Sequence, residues 1–288
     1  MTITESGSLA SLWPLEGEAG NLFVGGKSLR ACQESAAPKN SGDVVLVGNA
    51  WVSAADWQLL LGMAGPAKLE SHAGEVLAWK GSVDEPSEGV VALASEESFL
   101  VSYPWDLIKV NEQVVDSMQA AAELEEGQRA IESEDGLLIV GRGTKVLPGV
   151  FVEGAVVVGT DCKIGPNCYL RGRISIGDEC HIGQAVEVKN SVIGSKTSVG
   201  HLSYVGDSVL GSRVNFGAGT ITSNLRHDGK NHRSMVAGEL VTTGRRKFGT
   251  IVGDAAHTGI HTAIYPGRKL GPGATTRPGE VVERDKVS

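Results

Sequence analysis

Two basic residues, Arg171 and Lys189, occupy equivalent positions of a repeating sequence and lie three hexads apart. If three hexads make one turn of a solenoid, the two side chains lie on adjacent coils, about 5 Å apart. Two cations at that distance repel each other unless solvent or an anion lies between them. The spacing therefore favours a phosphate bound between the two side chains. The alternative is a pair of solvated corner residues.

A second candidate for chemistry is His201, which opens the polar and aromatic cluster HLSY at 201–204. An imidazole can accept a proton from an amine or hydroxyl nucleophile near neutral pH when a neighbouring hydroxyl or carbonyl orients it. The pattern indicates a general base, although a single histidine is more often structural. His257 with His261, or His181 with His201, could suggest a metal pair, but no third ligand has the spacing of a zinc site, and we expect no metal.

The element that would position these residues follows from a strict spacing of six. Aliphatic residues recur without a miss at Val140, Val146, Val152, Val158, Ile164, Leu170, Ile176, Ile182 and Val188. After two one-residue contractions the period continues through Ile193, Val199, Val205, Leu210 and Phe216, and it resumes at Val252, Thr258, Ile264, Leu270, Thr276 and Val282. This period fits neither an α-helix nor an isolated strand. It predicts a solenoid of short strands with one inward residue per strand and three strands per turn.

An insertion at 223–250 breaks the period and is rich in Lys, Arg and His. A long insertion in a regular solenoid is usually a functional loop, because it leaves the stack without adding to the core. The alternative is a solvated basic loop.

Composition agrees with a globular protein that has a real core, since 41% of the 288 residues are hydrophobic. The N-terminus does not resemble a signal peptide and no apolar stretch is long enough to span a membrane, so we expect a cytoplasmic protein. The four cysteines form no CxxC pair and are predicted to be reduced thiols. Residues 1–150 contain 9 basic and 22 acidic residues (−13), and residues 151–288 contain 17 and 12 (+5), which suggests that the solenoid handles anionic ligands. The alternative is a charge difference between domains that has no role in binding.

The chain divides into three predicted segments. Residues 1–103 predict a small α/β domain, with a strand at Val44–Val47 and a helix at Ala54–Met63 opened by Ser53. Residues 104–136 predict a helix to about residue 130, with the apolar stripe Trp105, Ile108, Val115, Met118 and Ala122, and an acidic linker at 123–135. Residues 137–288 form the predicted solenoid.

Long strings of the solenoid resemble a known family: VEVKNSVIG at 186–194, GHLSYVGDSVLG at 200–211, NFGAGTITSNLR at 215–226 and GRRKFGTIVGD at 244–254. They are similar to the acetyltransferase half of the bifunctional UDP-N-acetylglucosamine pyrophosphorylase/glucosamine-1-phosphate acetyltransferases, especially the archaeal-type sugar-phosphate nucleotidylyltransferases. The resemblance covers residues 137–285. It implies a left-handed parallel β-helix that follows an α+β N-terminal remnant.

The resemblance also implies roles for individual residues. His201 would be the general base, Arg171 and Lys189 the phosphate-contacting pair, and Tyr204 and Asn224 would help to bind an amino-sugar phosphate. Asn215 and Lys230 are also assigned to the acceptor site, and Ala218, Arg233 and Thr258 are assigned to the acetyl-CoA site. Arg233 stands where the archaeal-type sequences have a lysine.

The mechanism that the resemblance implies is direct acetyl transfer from acetyl-CoA to the amine of a glucosamine 1-phosphate-like acceptor. Backbone N–H groups of the GAGT turn at 217–220 are candidates to stabilise the oxyanion. Members of the family are homotrimers that bind CoA between neighbouring solenoids, so we expect a trimer with no nucleic-acid or membrane partner.

The N-terminal part departs from the family. GNLFVGGKSL at 20–29, VLVGNAWVS at 45–53 and SYPWDLIKVNE at 102–112 resemble family segments, but the glycine-rich phosphate loop is missing. Asn49 stands in place of a metal-binding aspartate, and an amide cannot replace that charge. We therefore expect a shortened nucleotidylyltransferase-like domain that has lost nucleotidyl transfer. The alternative function is a non-catalytic regulatory or scaffold subunit that pairs with an active nucleotidylyltransferase.

Overall fold

The computed structural model of the protein describes residues 1–5, 10–83, 86, 88–120, 124 and 126–288. The chain forms two compact units. One contains Gly17–Leu22 and Lys27–Ser102 together with the N-terminal strand, and the other contains Ala10–Glu16, Phe23–Gly26 and Tyr103–Ser288. The boundaries at 103 and 136 that the sequence suggests stay predictions.

The first unit is a small α/β structure with a mixed five-stranded sheet. In spatial order its strands are Thr2–Ile3, Val44–Leu46, Val76–Lys80, Ala67–Glu70 and Val90–Leu93. Its helices are α1 (Leu29–Ala36) and α2 (Ala54–Gly62), and the remaining short elements are Ala19–Asn21, Lys27–Ser28, Ala50–Trp51 and Phe99–Leu100. The Ser53 hydroxyl accepts a hydrogen bond from the Asp56 backbone N–H and caps α2. The predicted strand at 44–47 and helix at 54–63 are confirmed to within one residue.

The second unit is a left-handed parallel β-helix with three faces. Face A contains Lys145–Val146, Lys163–Ile164, His181–Gln184, Ser198–His201 and Asn215–Phe216. Face B contains the first halves of Phe151–Val158 and Tyr169–Ile176, then Glu187–Lys189, Tyr204–Gly206, Ile221–Thr222, Ala263–Ile264 and Val281–Val282. Face C contains Gly136–Val140, the second halves of the same two long strands, then Val192–Ile193, Val209–Leu210, Ile251–Val252 and Lys269–Leu270.

The strand register follows the hexad period of the sequence. Leu170 pairs with Val188, three full hexads further along the chain. Val188 pairs with Val205, which is one position short of three hexads because the first contraction of the sequence lies between them. After the insertion the register returns to three full hexads, with Ile264 opposite Val282. Nearly all inward hexad positions are buried in one continuous core, and Val146 and Val152 pack against it half-buried. The predicted solenoid and its inward residues are confirmed.

We expect inward positions to differ in their effect on stability according to their depth. Ile182 is fully buried, so Ile182→Ala should lower the free energy of unfolding by about 2–4 kcal/mol, because it removes a side chain and leaves a cavity. Val152→Ala, at the half-buried end of the stack, should cost roughly 1 kcal/mol or less. Urea unfolding followed by circular dichroism measures both losses. Equal losses of unfolding free energy in the two variants would contradict the conclusion that Ile182 is more deeply buried than Val152.

At many of its corners the chain turns through residues with positive φ. The corner between faces B and C contains Gly154, Gly172, Asn190, Asp207 and Gly267. Asparagine and aspartate adopt this conformation more readily than other side chains, and glycine adopts it without strain. The corner positions therefore bring polar side chains of successive coils into one column, beside Arg171 and Lys189.

Helix α3 (Asp106–Ala120) belongs to the second unit and packs on its first coils. Val115 joins a small core with Ile139, Ala155 and Val157, and Met118 packs against it. The predicted apolar stripe is confirmed as far as Met118, and Ala122 lies outside the described residues. The predicted extension to about residue 130 is wrong at its end, since Arg129–Glu132 is a strand that pairs antiparallel with Gly136–Val140. The acidic residue Glu132 therefore lies in this added edge strand.

The insertion at 223–250 contains an antiparallel hairpin, Arg233–Val236 with Glu239–Thr242. Its two turn residues, Ala237 and Gly238, both have positive φ, as a tight two-residue hairpin turn requires. The other short elements of this unit are Ala10–Leu12 and Phe23–Val24.

Two further expectations concern thiols and membrane segments. The four cysteines are free, as predicted, and all four are buried. Among the described residues, none of the helices combines the length and the apolar character that crossing a membrane would need.

Candidate active site

Arg171 and Lys189 lie side by side on face B, directly opposite each other in the strand register. The adjacency predicted from the spacing of three hexads is therefore present. Each cation has its own carboxylate partner: Arg171 Nη2 lies 2.6 Å from Glu187 Oε1, and Lys189 Nζ lies 2.8 Å from Asp207 Oδ2. The mutual repulsion that suggested a bridging phosphate is thus already reduced by two side chains that the sequence analysis did not consider.

Asp207 is the centre of this arrangement, and only 2% of its side chain is exposed. It accepts hydrogen bonds from Lys189 Nζ at both carboxylate oxygens (2.9 and 2.8 Å) and from Asn224 Nδ2 at 2.5 Å. Asn190 Nδ2 donates to it at 3.3 Å. A buried carboxylate is tolerated when it is paired and fully hydrogen-bonded, and Asp207 meets both conditions.

Tyr204 and Asn224, assigned to one site by the resemblance, are in direct contact. Asn224 Nδ2 donates to the Tyr204 hydroxyl at 2.9 Å. Burial raises the pKa of Tyr204, and the negative charge of Asp207 raises it further. The hydroxyl therefore stays protonated near neutral pH and can donate its hydrogen to a ligand.

The insertion and helix α3 support this face from one side. Asn190 Nδ2 donates to Glu112 Oε1 at 2.8 Å, and Arg245 Nη2 of the insertion donates to the same oxygen at 2.6 Å. The backbone of the insertion also contacts Asn224, whose carbonyl accepts the Phe248 N–H at 3.0 Å. The insertion is thereby tied to the coils that carry Lys189 and Asn224.

His201 lies at the corner between faces A and B, with its side chain exposed. Its backbone carbonyl accepts from the Ser203 hydroxyl at 2.7 Å and from the Gly219 N–H at 3.1 Å, so the main chain is fixed. Within the described part of the chain, no hydrogen bond restrains its imidazole. The His181 ring lies near it on face A. Burial lowers the pKa of His181, and the charges of Lys163 and His201 lower it further.

The remaining predicted residues are more dispersed. Asn215 is exposed on face A, in register with Ser198, and Ala218 follows in the next corner turn. Lys230 and Arg233 are exposed on the insertion. Thr258 is buried, and its hydroxyl bonds to the Gly217 N–H and the Thr220 hydroxyl, so a cofactor could contact its backbone but not its side chain.

The structure therefore brings Arg171, Lys189, Tyr204 and Asn224 into one cluster on face B. His201, Asn215 and Ala218 form a second group on face A and its corner, and no described side-chain contact joins the two groups. Glu187, Asp207 and Glu112 are the residues that the sequence analysis missed. A signal for Asp207 exists in the sequence, since it is a non-glycine residue at a corner position, two residues after the inward Val205.

An open cavity of about 550 Å³ continues the face B cluster along the solenoid. Most of its surface is apolar, with Arg226 and Asp228 among the polar residues that line it, and its apolar residues include Ile221, Leu225, Ala263, Tyr265 and Pro266. Arg226 and Asp228 form an ion pair at 2.6 Å. Among the described residues no group of three or more His, Cys, Asp or Glu side chains is arranged to hold a metal ion.

Comparison with known proteins connects this surface to a family. Residues 152–265 match the family model of the GMPPB C-terminal domain. A bifunctional sugar-1-phosphate nucleotidylyltransferase/acetyltransferase from Sulfurisphaera tokodaii is 40% identical over 185 residues, which cover 64% of this chain and 46% of the relative. The bifunctional protein GlmU of Methanococcus aeolicus is 31% identical over 171 residues, or 59% of this chain and 41% of the relative.

A third relative is matched over more of its own length. The putative uncharacterized acetyltransferase YaiX of Escherichia coli is 32% identical over 158 residues, which cover 55% of this chain and 69% of the relative. The chain spans less than half of the length of the two bifunctional relatives. The chain therefore belongs to the same family as the putative acetyltransferase YaiX, and its β-helical part is similar to the bifunctional sugar-1-phosphate nucleotidylyltransferase/acetyltransferases.

Proposed function

We propose that the protein is an acetyl-CoA-dependent N-acetyltransferase that acts on an amino-sugar 1-phosphate such as glucosamine 1-phosphate. The observation that carries the proposal is the face B cluster, in which Arg171, Lys189, Tyr204 and Asn224 present charged and polar groups at one surface. Arg171 and Lys189 would bind the phosphate, and Tyr204 and Asn224 the sugar. The phosphate would have to draw Arg171 away from Glu187, whose side chain is about one third exposed at 35%.

His201 is the proposed general base. Its exposed imidazole would take a proton from the sugar ammonium, or from the amine nitrogen as that nitrogen attacks, and the nitrogen lone pair would form a bond to the thioester carbonyl carbon of acetyl-CoA. The tetrahedral intermediate then collapses, the C–S bond breaks, and CoA leaves as a thiolate that takes up a proton. The products are the N-acetylated sugar phosphate and free CoA, with no covalent enzyme intermediate.

The backbone of the GAGT turn narrows the candidates for oxyanion stabilisation. The Gly217 N–H donates to Thr258, the Gly219 N–H to His201 and the Thr220 N–H to Gly217. The Ala218 N–H has no acceptor among the described residues. Ala218 follows the corner near His201, so its N–H is the proposed donor to the carbonyl oxygen as charge develops there.

The pantetheine portion of the co-substrate would need apolar surface, and the cavity beside Leu225 and Tyr265 that continues the face B cluster is the proposed location for it. The two residue groups lie on different faces of one chain, which supports a homotrimer in which a neighbouring solenoid completes the site. Light scattering coupled to size exclusion measures the oligomeric state. A monomer that is fully active would contradict this arrangement.

We further propose that the first unit does not transfer nucleotidyl groups. Asn49 stands at the position that the family resemblance gives to a metal ligand, and its side-chain amide donates to the Val101 carbonyl at 3.1 Å. This engaged amide supports a structural role for Asn49. Release of pyrophosphate from UTP and a sugar 1-phosphate would overturn the proposal.

The direct test of the acetyltransferase is release of free thiol. Protein incubated with acetyl-CoA and glucosamine 1-phosphate or galactosamine 1-phosphate should release CoA at a rate proportional to protein concentration, with one N-acetyl product formed per thiol. Glucosamine without phosphate should react at least about tenfold more slowly, because charge-assisted hydrogen bonds to the phosphate are lost. No thiol release with any amino-sugar phosphate would sink the proposed function and favour a scaffold role.

A further inference from the structure

Asp207 stands at a corner where the backbone is constrained on both sides. Its φ is +50°, its N–H donates to the Lys189 carbonyl at 2.8 Å, and its carbonyl accepts from the Gly249 N–H at 2.9 Å. The carboxylate therefore projects from a fixed main chain. A side chain that is 2% exposed cannot itself be a substantial binding surface for a ligand, so its effect must pass through its neighbours.

Two of these neighbours, Lys189 and Asn224, belong to the four-residue cluster on face B. An ammonium has three N–H bonds, and Lys189 directs hydrogen bonds to both Asp207 oxygens, which leaves one N–H for a ligand. Asn224 donates from Nδ2 to both Asp207 and Tyr204, which engages both amide hydrogens and leaves Oδ1 to accept. The Tyr204 hydroxyl accepts from Asn224, so its own hydrogen remains for a ligand.

The result is a fixed order of ligand-binding groups along one side of the face B cluster, which we call the wall: a donor on Lys189, an acceptor on Asn224 and a donor on Tyr204. Without the carboxylate, the Asn224 amide could rotate and the Lys189 ammonium could adopt other rotamers, because a flexible stem carries it. A phosphorylated sugar offers matching groups, since phosphate oxygens accept and sugar hydroxyls both donate and accept.

We propose that Asp207 is a positioning residue of the acceptor site, which fixes the Lys189 ammonium and the Asn224 amide so that the wall presents donor, acceptor and donor to a phosphorylated sugar. The proposal rests on the proposed function for the identity of the ligand. The fixed arrangement itself can be tested without turnover.

The decisive variant is Asp207→Asn, which keeps the size of the side chain but places amide hydrogens against Lys189 or Asn224. With glucosamine 1-phosphate, KM should rise by about 10–100-fold while kcat falls by no more than several-fold, because the lost hydrogen bonds are charge-assisted and made to the bound acceptor. KM for acetyl-CoA should stay within about threefold of the wild-type value. The matched control is Asp254→Asn, which removes an exposed ion pair with Arg213 at another corner and should leave both constants unchanged.

The measurement that does not need turnover is the ionisation of Tyr204, followed by ultraviolet absorbance with Tyr204→Phe as the reference. Removing the Asp207 charge should shift the tyrosinate transition to lower pH, and Asp254→Asn should not shift it. A purely structural role predicts equal loss of kcat and kcat/KM together with a lower melting temperature. Unchanged KM and an unchanged Tyr204 transition in a folded Asp207→Asn variant would overturn the proposal.

Two further outcomes have a defined meaning. If the wild type shows no turnover, the proposed function fails, while a shifted Tyr204 transition in Asp207→Asn still supports the fixed arrangement. If Asp207→Asn does not fold, the comparison of Lys189→Met with Lys189→Met/Asp207→Asn replaces it, because the double variant carries no unpaired charge. The same downward shift of the Tyr204 transition is then expected in the double variant, and its absence counts against the proposal.

Discussion

His201→Ala should lower kcat for acetyl transfer by about 10²–10⁴-fold, the usual contribution of a positioned general base. KM for acetyl-CoA should change by less than about threefold, because the imidazole acts on the amine and does not anchor the cofactor. Stability should be unaffected, since the side chain is exposed and its imidazole forms no hydrogen bond to the described residues. Thiol release at saturating substrates and thermal unfolding measure the two quantities.

The control for this experiment is His72→Ala, an exposed histidine of the first unit. It should retain activity within about twofold, because it lies in a different unit from the proposed machinery. If His201→Ala keeps wild-type kcat, the base assignment is wrong. If His201→Ala instead lowers the melting temperature as much as a core substitution does, His201 has a structural role.

Lys189→Met should destabilise the protein by about 2–3 kcal/mol and also abolish productive acceptor binding. Removing the ammonium leaves the buried Asp207 carboxylate without its cation, and an unpaired buried charge is costly. The expected destabilisation is smaller than for a fully buried ion pair because the Lys189 side chain is 22% exposed. Urea unfolding and the KM for glucosamine 1-phosphate test the two effects separately.

A double variant separates the causes of this loss. Lys189→Met/Asp207→Asn should recover at least about half of the lost stability, since no unpaired charge remains, but it should not recover acceptor binding. The comparison variant is Lys196→Met, whose ion pair with Glu179 is exposed at 3.6 Å and should contribute less than about 1 kcal/mol. Equal destabilisation by Lys189→Met and Lys196→Met would show that Asp207 tolerates the loss of its partner.

Much of the fold could be predicted because its repeat is local. A residue such as Ile182 is inward because its neighbours one hexad away are also inward, and this pattern can be read without knowledge of distant contacts. The contraction between Val188 and Ile193 explains, for the same reason, why the register is one position shorter between Val188 and Val205. The end of helix α3 was less predictable, since the segment around Ile131 pairs with Leu138 as an edge strand that its acidic sequence does not favour.

The candidate site was predicted in part. Position in the repeat placed Arg171 opposite Lys189, and the family resemblance assigned Tyr204 and Asn224, which the structure shows in contact. The hairpin inside the insertion was not predicted, because only the broken period and the basic charge of that segment were visible in the sequence. The burial of Thr258 agrees with its inward hexad position, which limits the cofactor contact assigned to it to the backbone.

The sequence alone thus determined the architecture, the inward face of each strand and which residues share a column, since a solenoid converts sequence spacing into spatial adjacency. Only the tertiary structure decided how the charges are paired. Asp207 meets Lys189 across one coil, and Arg245 meets Glu112 across 133 residues of chain, where helix α3 and the insertion converge. Such contacts depend on side-chain direction at corners and on elements outside the repeat, and a period of six carries no information about either.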